Sequence, residues 1–174
     1  METTKFAYFA GGCFWCITPV FREQKGVRSA VCGFSGGDEV DPSYDEVKQQ
    51  KTHHRETIRV AYDPLEISYE TLLDLFLWSV DPYDGGGQFI DRGASYTLAV
   101  YYTSDNERLL LQNKLNEMEK ASNRPPQIAV EPFKTFYPAP EEHQNFDWKH
   151  PEQFQNELNE SGRTEYFAQK TRSR

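Results

Sequence analysis

Cysteine is scarce in this chain and sits at one end of it: Cys13, Cys16 and Cys32 are the only three among 174 residues. An odd count, with nothing after Cys32, excludes a stapled disulfide scaffold. The cysteines read instead as working thiols of a reducing compartment, the cytoplasm. Basic charge is short as well. Nineteen Lys and Arg against 27 Asp and Glu leave a formal charge of −8, which argues against a nucleic-acid surface, because phosphate contacts need clustered cations. Long apolar runs are missing too. The longest, within residues 72–80, is broken by Asp74 and is too short to cross a bilayer, so no membrane association is expected. The opening Met1-Glu2-Thr3-Thr4-Lys5 lacks the basic and apolar regions of a secretion signal. No repeat or low-complexity linker divides the sequence, so residues 1–174 are expected to form a single domain.

Aromatics, by contrast, abound: twelve Phe, ten Tyr and three Trp are too many for a disordered chain. Apolar patterning predicts strands at 5–10, 27–34, 57–62, 96–102 and 128–132, and helices at 14–25, 43–50, 68–80, 104–121 and 152–160. Ser68 and Ser104 are placed to cap two of these helices, with Glu107 completing a capping box at the second. Residues 81–93, including Gly85-Gly86-Gly87, read as a loop without periodicity. Segment 131–150, rich in Pro and aromatics, reads as an irregular stretch wrapping the surface. The fold class is α+β, a compact domain with a mixed β-sheet flanked by helices and a long irregular C-terminal wrap.

Gly11-Gly12-Cys13-Phe14-Trp15-Cys16, directly after the apolar run from Phe6 to Ala10, carries the chemistry. Paired glycines let a strand turn tightly into the helix that follows. Cys13 then falls at a helix N-terminus, where free N–H groups and the helix dipole favour a thiolate. A second cysteine lies one turn on. By itself a CxxC supports redox chemistry and metal binding alike. A zinc site would have to recruit Cys32, His53, His54, His143 or His150, and no second CxxC, HxxxH or CxxH gives these the expected spacing. No metal is expected. Two readings of the CxxC stay open: a thioredoxin-like dithiol oxidoreductase, and a zinc-stabilised binding module.

Further blocks occur in order along the chain. Gly33-Phe34-Ser35-Gly36-Gly37 precedes Pro42-Ser43-Tyr44-Asp45-Glu46-Val47. Then come His54-Arg55-Glu56, Tyr62-Asp63-Pro64, Asp81-Pro82, Gln88 with Asp91-Arg92-Gly93 and Tyr96, and finally His143-Gln144. Together with the Gly-Gly-Cys-Phe-Trp signature this set, spanning roughly residues 5–150, resembles the peptide methionine sulfoxide reductases of the A type, which reduce the S epimer of methionine sulfoxide. The chain departs from that pattern at Phe34-Ser35, often Tyr-Thr, at Ser95, often Gln, and at Cys16, commonly Gly. It also lacks the recycling cysteines that many members carry near the C-terminus.

The resemblance implies a single catalytic domain for thiol-dependent reduction of methionine S-sulfoxide, free or protein-bound, with no cofactor. Cys13 is then the nucleophile, left as a sulfenic acid after attack on the sulfoxide sulfur. Glu56 becomes the acid that protonates the sulfoxide oxygen, which at neutral pH requires burial to raise its pKa. Tyr44 and Tyr96 aim hydroxyls at the same oxygen, Asp91 orients neighbours or water, and Phe14 and Trp15 wall the methyl group. Spacing on a helix brings Cys16 within disulfide reach of Cys13, so Cys16 is the expected resolving cysteine, with Cys32 as rival, and a thioredoxin-type protein is the expected reductant. His53, His54, His143 and His150 stay outside the catalytic set; His143 is the best placed of them to line the site.

Overall fold

The computed structural model describes residues 3–172; Met1, Glu2, Ser173 and Arg174 lie outside these. In chain order the elements are β1 (Lys5–Gly11), α1 (Phe14–Arg22), β2 (Val27–Ser35), α2 (Tyr44–Lys48), β3 (Arg55–Tyr62), α3 (Tyr69–Ser79), and a small hairpin of β4 (Gly87–Gln88) and β5 (Asp91–Arg92). There follow β6 (Leu98–Tyr102), α4 (Asp105–Ser122), β7 (Ile128–Pro132), β8 (Phe136–Pro138), α5 (Phe146–Lys149), α6 (Pro151–Glu160) and α7 (Arg163–Arg172). Six strands form one sheet in the order β7-β6-β1-β3-β2-β8. Among the described residues only the β6–β7 pair of this sheet is parallel, bridged by α4; the other neighbours run antiparallel. The expected mixed sheet with flanking helices is therefore present. No helix among the described residues is long and apolar enough to cross a membrane.

Strand alternation sorts side chains onto two buried faces. From β1, Ala7 and Phe9 enter the main core with Ile58, Val60, Leu98 and Val100, beneath α1, α3 and α4. Phe9 stacks between Phe21 of α1 and Phe76 of α3, ring centroids 5.1 and 5.2 Å away. Each such fully buried ring contributes about 1.5–3 kcal/mol relative to exposure. Tyr8 and Ala10 point the other way, joining Ala99 and Tyr101 under Phe133 and Phe136. Both faces of β1 are covered, which fixes its register and, with it, the position of Cys13 beyond its end.

Several expectations need correction. Segment 131–150 is more regular than its composition predicts: β8 pairs with β2 at the sheet edge, and α5 adds one helical turn. Three residues of strand show no usable periodicity, and their pairing is set by the exposed edge of β2. A hairpin interrupts the loop at 81–93, held by Gln88, whose amide donates to the carbonyls of Asp81 and Gly87 and accepts from Asp81 N–H. Helix α7 lies beyond the predicted helix at 152–160, and α1 stops at Arg22 rather than 25. Strand β6 begins at Leu98, because Ala94–Tyr96 forms a 3-10 turn. Ser104 and Ser68 cap as expected, accepting from the backbones of Glu107 and Thr71. The reciprocal half of the box at Ser104 is missing, since the Glu107 carboxylate reaches the N–H and hydroxyl of Thr103 instead. The complete capping box is Ser43 with Glu46, at the start of α2.

Candidate active site

At the junction of β1 and α1 the backbone is pressed from two sides. A Cβ on Gly11 would lie 2.6 Å from Cδ1 of Ile17. Gly12 has φ +82°, and a Cβ there would meet Cβ of Gln88 at 2.7 Å. Lacking both side chains, the chain turns sharply and delivers Cys13 as the N-cap residue of α1. Cys13 then faces a cavity of about 190 Å³, lined by Trp15, Cys16, Tyr44, Lys48, Glu56, Ile90, Asp91, Tyr96, Glu157, Ser161 and Arg163 as well. Of the eight residues expected at the site, seven line this one cavity.

Phe14 is the eighth, and it lies behind the wall. Its ring is 1 % exposed and packs in the core against Phe34 and Tyr44. Its contribution to the site is backbone: the Phe14 N–H donates to Oε1 of Glu56 at 3.2 Å. Glu56 enters from β3, one residue past the start of the strand, and is 2 % exposed. Burial pushes its carboxyl up to about 8, against the smaller opposing pull of the Phe14 N–H. Glu56 is thus a neutral acid at pH 7, carrying a proton that an ordinary glutamate would have lost.

The thiols of Cys13 and Cys16 interact directly, and they divide the charge unequally. Cys13 is pushed well above the usual thiol range, first by its contact with Cys16 and then by burial and the neighbouring Glu56. Cys16 is drawn down, first by the contact with Cys13 and then, against burial, by the Arg163 guanidinium. Cys13 is therefore held as the thiol and not as the thiolate that its N-cap position predicts, because its contact with Cys16, its burial and the nearby carboxyl all push it up.

Tyr44 and Tyr96 come from separate segments, at the start of α2 and in the 3-10 turn before β6. Gln50, just past α2, joins them: its amide donates to Oγ of Ser95 at 2.6 Å and accepts from Ser95 N–H at 2.9 Å. Burial raises both phenols, with the Glu56 charge adding to it, so both remain hydrogen-bond donors. Asp91 reaches the cavity from β5 and accepts from Arg163 Nη1 at 3.4 Å.

Trp15 is held from behind by the C-terminal segment. Its indole N–H donates to the carbonyl of His143 at 3.1 Å, and its ring stacks on Phe146 at 4.1 Å. His143 stacks on Tyr44 with centroids 4.0 Å apart, buttressing the cavity wall without lining it. Gln144 ties the same segment to β2, bonding both the N–H and the carbonyl of Cys32. The Cys32 thiol lies in the core, 1 % exposed, 3.2 Å from Thr18 Oγ1, and burial pushes it up to about 12. Among the described residues no group of three or more His, Cys, Asp or Glu could hold a metal ion.

A buried acid beside an interacting pair of thiols is an arrangement for thiol chemistry that needs a proton, and comparison with known proteins identifies which. The sequence model of the family described as "Peptide methionine sulfoxide reductase" matches residues 5–174. The chain belongs to this family. Relatives called "Peptide methionine sulfoxide reductase MsrA" include one from Bacillus licheniformis, 39 % identical over 97 % of this chain and 94 % of its own length. Another, from Halalkalibacterium halodurans, is 40 % identical over 92 % and 93 %. Among solved structures, reduced Mxr1 from Saccharomyces cerevisiae superposes with a TM-score of 0.80 at 28 % identity, covering 86 % of this chain and 87 % of that one. Mxr1 has also been solved in complex with Trx2. This chain is accordingly a methionine sulfoxide reductase of the A type, an oxidoreductase.

Within this reductase, Lys48, Ile90, Glu157, Ser161 and Arg163 line the cavity without having been singled out in the sequence. Glu157 and Ser161 come from α6 and its C-cap, and Arg163 opens α7. An isolated Arg or Glu in a polar helical stretch carries no chemical signature. Of these, only Arg163 had a readable hint, the Ser161-Gly162 break that separates two helices and turns the chain back toward the site.

Proposed function

We propose that this reductase acts on the S epimer of methionine sulfoxide, free or in proteins, through Cys13 with Glu56 as the proton donor. The observation that carries this reading is Glu56, a carboxyl held neutral at pH 7 in the cavity that Cys13 faces. The Cys13 sulfur attacks the sulfoxide sulfur while Glu56 protonates the oxygen, and Tyr44 and Tyr96 donate to that oxygen as charge gathers on it. The oxygen passes to Cys13 as its bond to the substrate sulfur breaks. Methionine leaves, Cys13 is a sulfenic acid, and the thiol proton replaces the one Glu56 gave up. Trp15 provides an apolar wall for the methyl group, and Asp91 orients the polar side of the cavity.

Cys16 is proposed to resolve the sulfenic acid. Its thiol lines the cavity with Cys13 and interacts with it, whereas Cys32 is buried against Thr18 and is not among the lining residues. A thioredoxin-type protein then reduces the Cys13–Cys16 disulfide, as Trx2 is a partner of the yeast relative. Three free thiols and a dithiol partner suit the cytoplasm, with residues 1–174 taken as one catalytic domain. A stereospecific assay with dithiothreitol tests the central claim: turnover of the S epimer alone is expected, and equal rates on both epimers overturn it.

A further inference from the structure

Arg163 is an expensive residue to bury. It is 4 % exposed at the start of α7, where its guanidinium lies 4.6 Å from the centroid of the Phe89 ring and Nη1 reaches Asp91. Its Nη2 is buried with no hydrogen-bond partner. That nitrogen is close to the nucleophile loop, since a Cβ placed on Gly12 would lie 3.6 Å from it. A buried, unsatisfied cationic donor costs free energy, and it persists where an acceptor arrives at another stage of the working cycle.

The second observation concerns Cys16. Behind the active-site cavity is another of about 200 Å³, lined in part by Ile17, Val20, Trp78 and Phe167. Cys16 and Arg163 line both cavities. The thiol and the guanidinium therefore share the partition between the substrate pocket and a second cavity whose lining is mainly apolar, which offers a charge on that side few polar partners.

We propose that Arg163 is a positioning residue for the resolution step, holding Cys16 as the thiolate that attacks oxidised Cys13. The inference rests on the role proposed above for Cys16. In that step the Cys16 thiolate forms an S–S bond to the Cys13 sulfur and the Cys13 S–O bond breaks. The oxygen leaves as water, taking a proton from Glu56, so that Cys16 is oxidised and the sulfenic sulfur reduced. Arg163 acts by its charge on Cys16 and by the free Nη2, leaving Nη1 to Asp91. The other titratable groups around the thiol are Cys13 at the N-cap and the neutral Glu56 on β3, with the charged Lys48 on α2, Asp91 on β5 and Glu157 on α6. Asp91 and Glu157 oppose the thiolate, and Arg163 is the cation that favours it.

The test follows the sulfenic acid directly. Parent, Arg163→Met and Arg163→Lys proteins are given one equivalent of methionine S-sulfoxide without reductant, dimedone traps any sulfenic acid, and the appearance of disulfide is timed across a pH series. The acidic limb of disulfide formation should move to higher pH by about one unit in Arg163→Met, an approximately tenfold slowing below the limb, with dimedone adduct accumulating on Cys13. Arg163→Lys keeps a charge for Asp91 but has no second nitrogen, so its limb moves the same way by less, and it decides the matter should the Met variant not fold. A limb unmoved in a folded variant that still forms Cys13–Cys16 overturns the role of Arg163 alone. A Cys13–Cys32 linkage in the oxidised parent, found by peptide mapping, overturns the role of Cys16 and this inference with it.

Discussion

The backbone N–H of Phe14 donates to Oε1 of Glu56 across 42 residues of sequence. One hydrogen bond thus ties the residue after the nucleophile to the acid, and the first turn of α1 to the start of β3. A single donor is enough to aim the carboxyl and too little to ionise it, and that balance sets the first two predictions.

Replacing Glu56 with Gln keeps the shape and the bond from Phe14 but removes the transferable proton. The chemical step, read as methionine released in a single turnover, should slow by about 10²–10⁴-fold. Substrate binding should change little. A variant within a few-fold of the parent removes Glu56 from the mechanism.

The same carboxyl makes stability depend on pH. The folded protein keeps the Glu56 proton up to about pH 8, whereas the unfolded chain releases it near 4.5. Between those values the native state binds more protons, so this group's contribution to stability falls as pH rises, by at most about 1.4 kcal/mol per unit. Melting temperatures across that window should therefore decline more steeply for the parent than for Glu56→Gln. Parallel curves would mean that the carboxyl titrates normally.

Cys16→Ser should release one equivalent of methionine and then stall with thioredoxin, while Cys32→Ser cycles like the parent. Counting methionine per chain, with and without thioredoxin and its reductase, distinguishes the two. The opposite pattern assigns resolution to Cys32.

At Gly12 the backbone has φ +82° and Gln88 sits where a side chain would go. Gly12→Ala should cost about 1–3 kcal/mol in strain. It should also push the β4–β5 hairpin, and Asp91 with it, away from Cys13. Both a lower melting temperature and a reduced kcat are expected; a normal kcat would show that the hairpin's position does not matter to catalysis.

The sheet and most helices were legible because their apolar residues repeat at the period of a strand or a helix. The site was legible from residue chemistry only at the two cysteines a turn apart; Glu56, Tyr44 and Tyr96 were legible through the resemblance of their ordered blocks to the family, since each alone reads as a surface charge or a packing ring. What escaped was set by tertiary context. Strand β8 exists because β2 offers an edge, and Gln144 extends that edge with a side chain that imitates a strand. Phe14 read as a pocket aromatic because its ring follows the nucleophile, yet helix geometry turns the ring into the core and leaves only its N–H to the site. The unequal shifts of Cys13 and Cys16 come first from their contact with each other and then from burial, with a smaller pull from Arg163, which lies far along the sequence and looks like any other surface arginine until it is buried.

That distance also has a meaning in time. A ribosome adding about 5–20 residues per second needs roughly 8–30 s to pass from Cys13 to Arg163. Over that interval the nascent chain gains its three thiols well before Glu157, Ser161 and Arg163, the last residues to line the pocket, have been added. The sulfur proposed as the nucleophile is therefore made as an ordinary oxidisable thiol, long before the residues that enclose it.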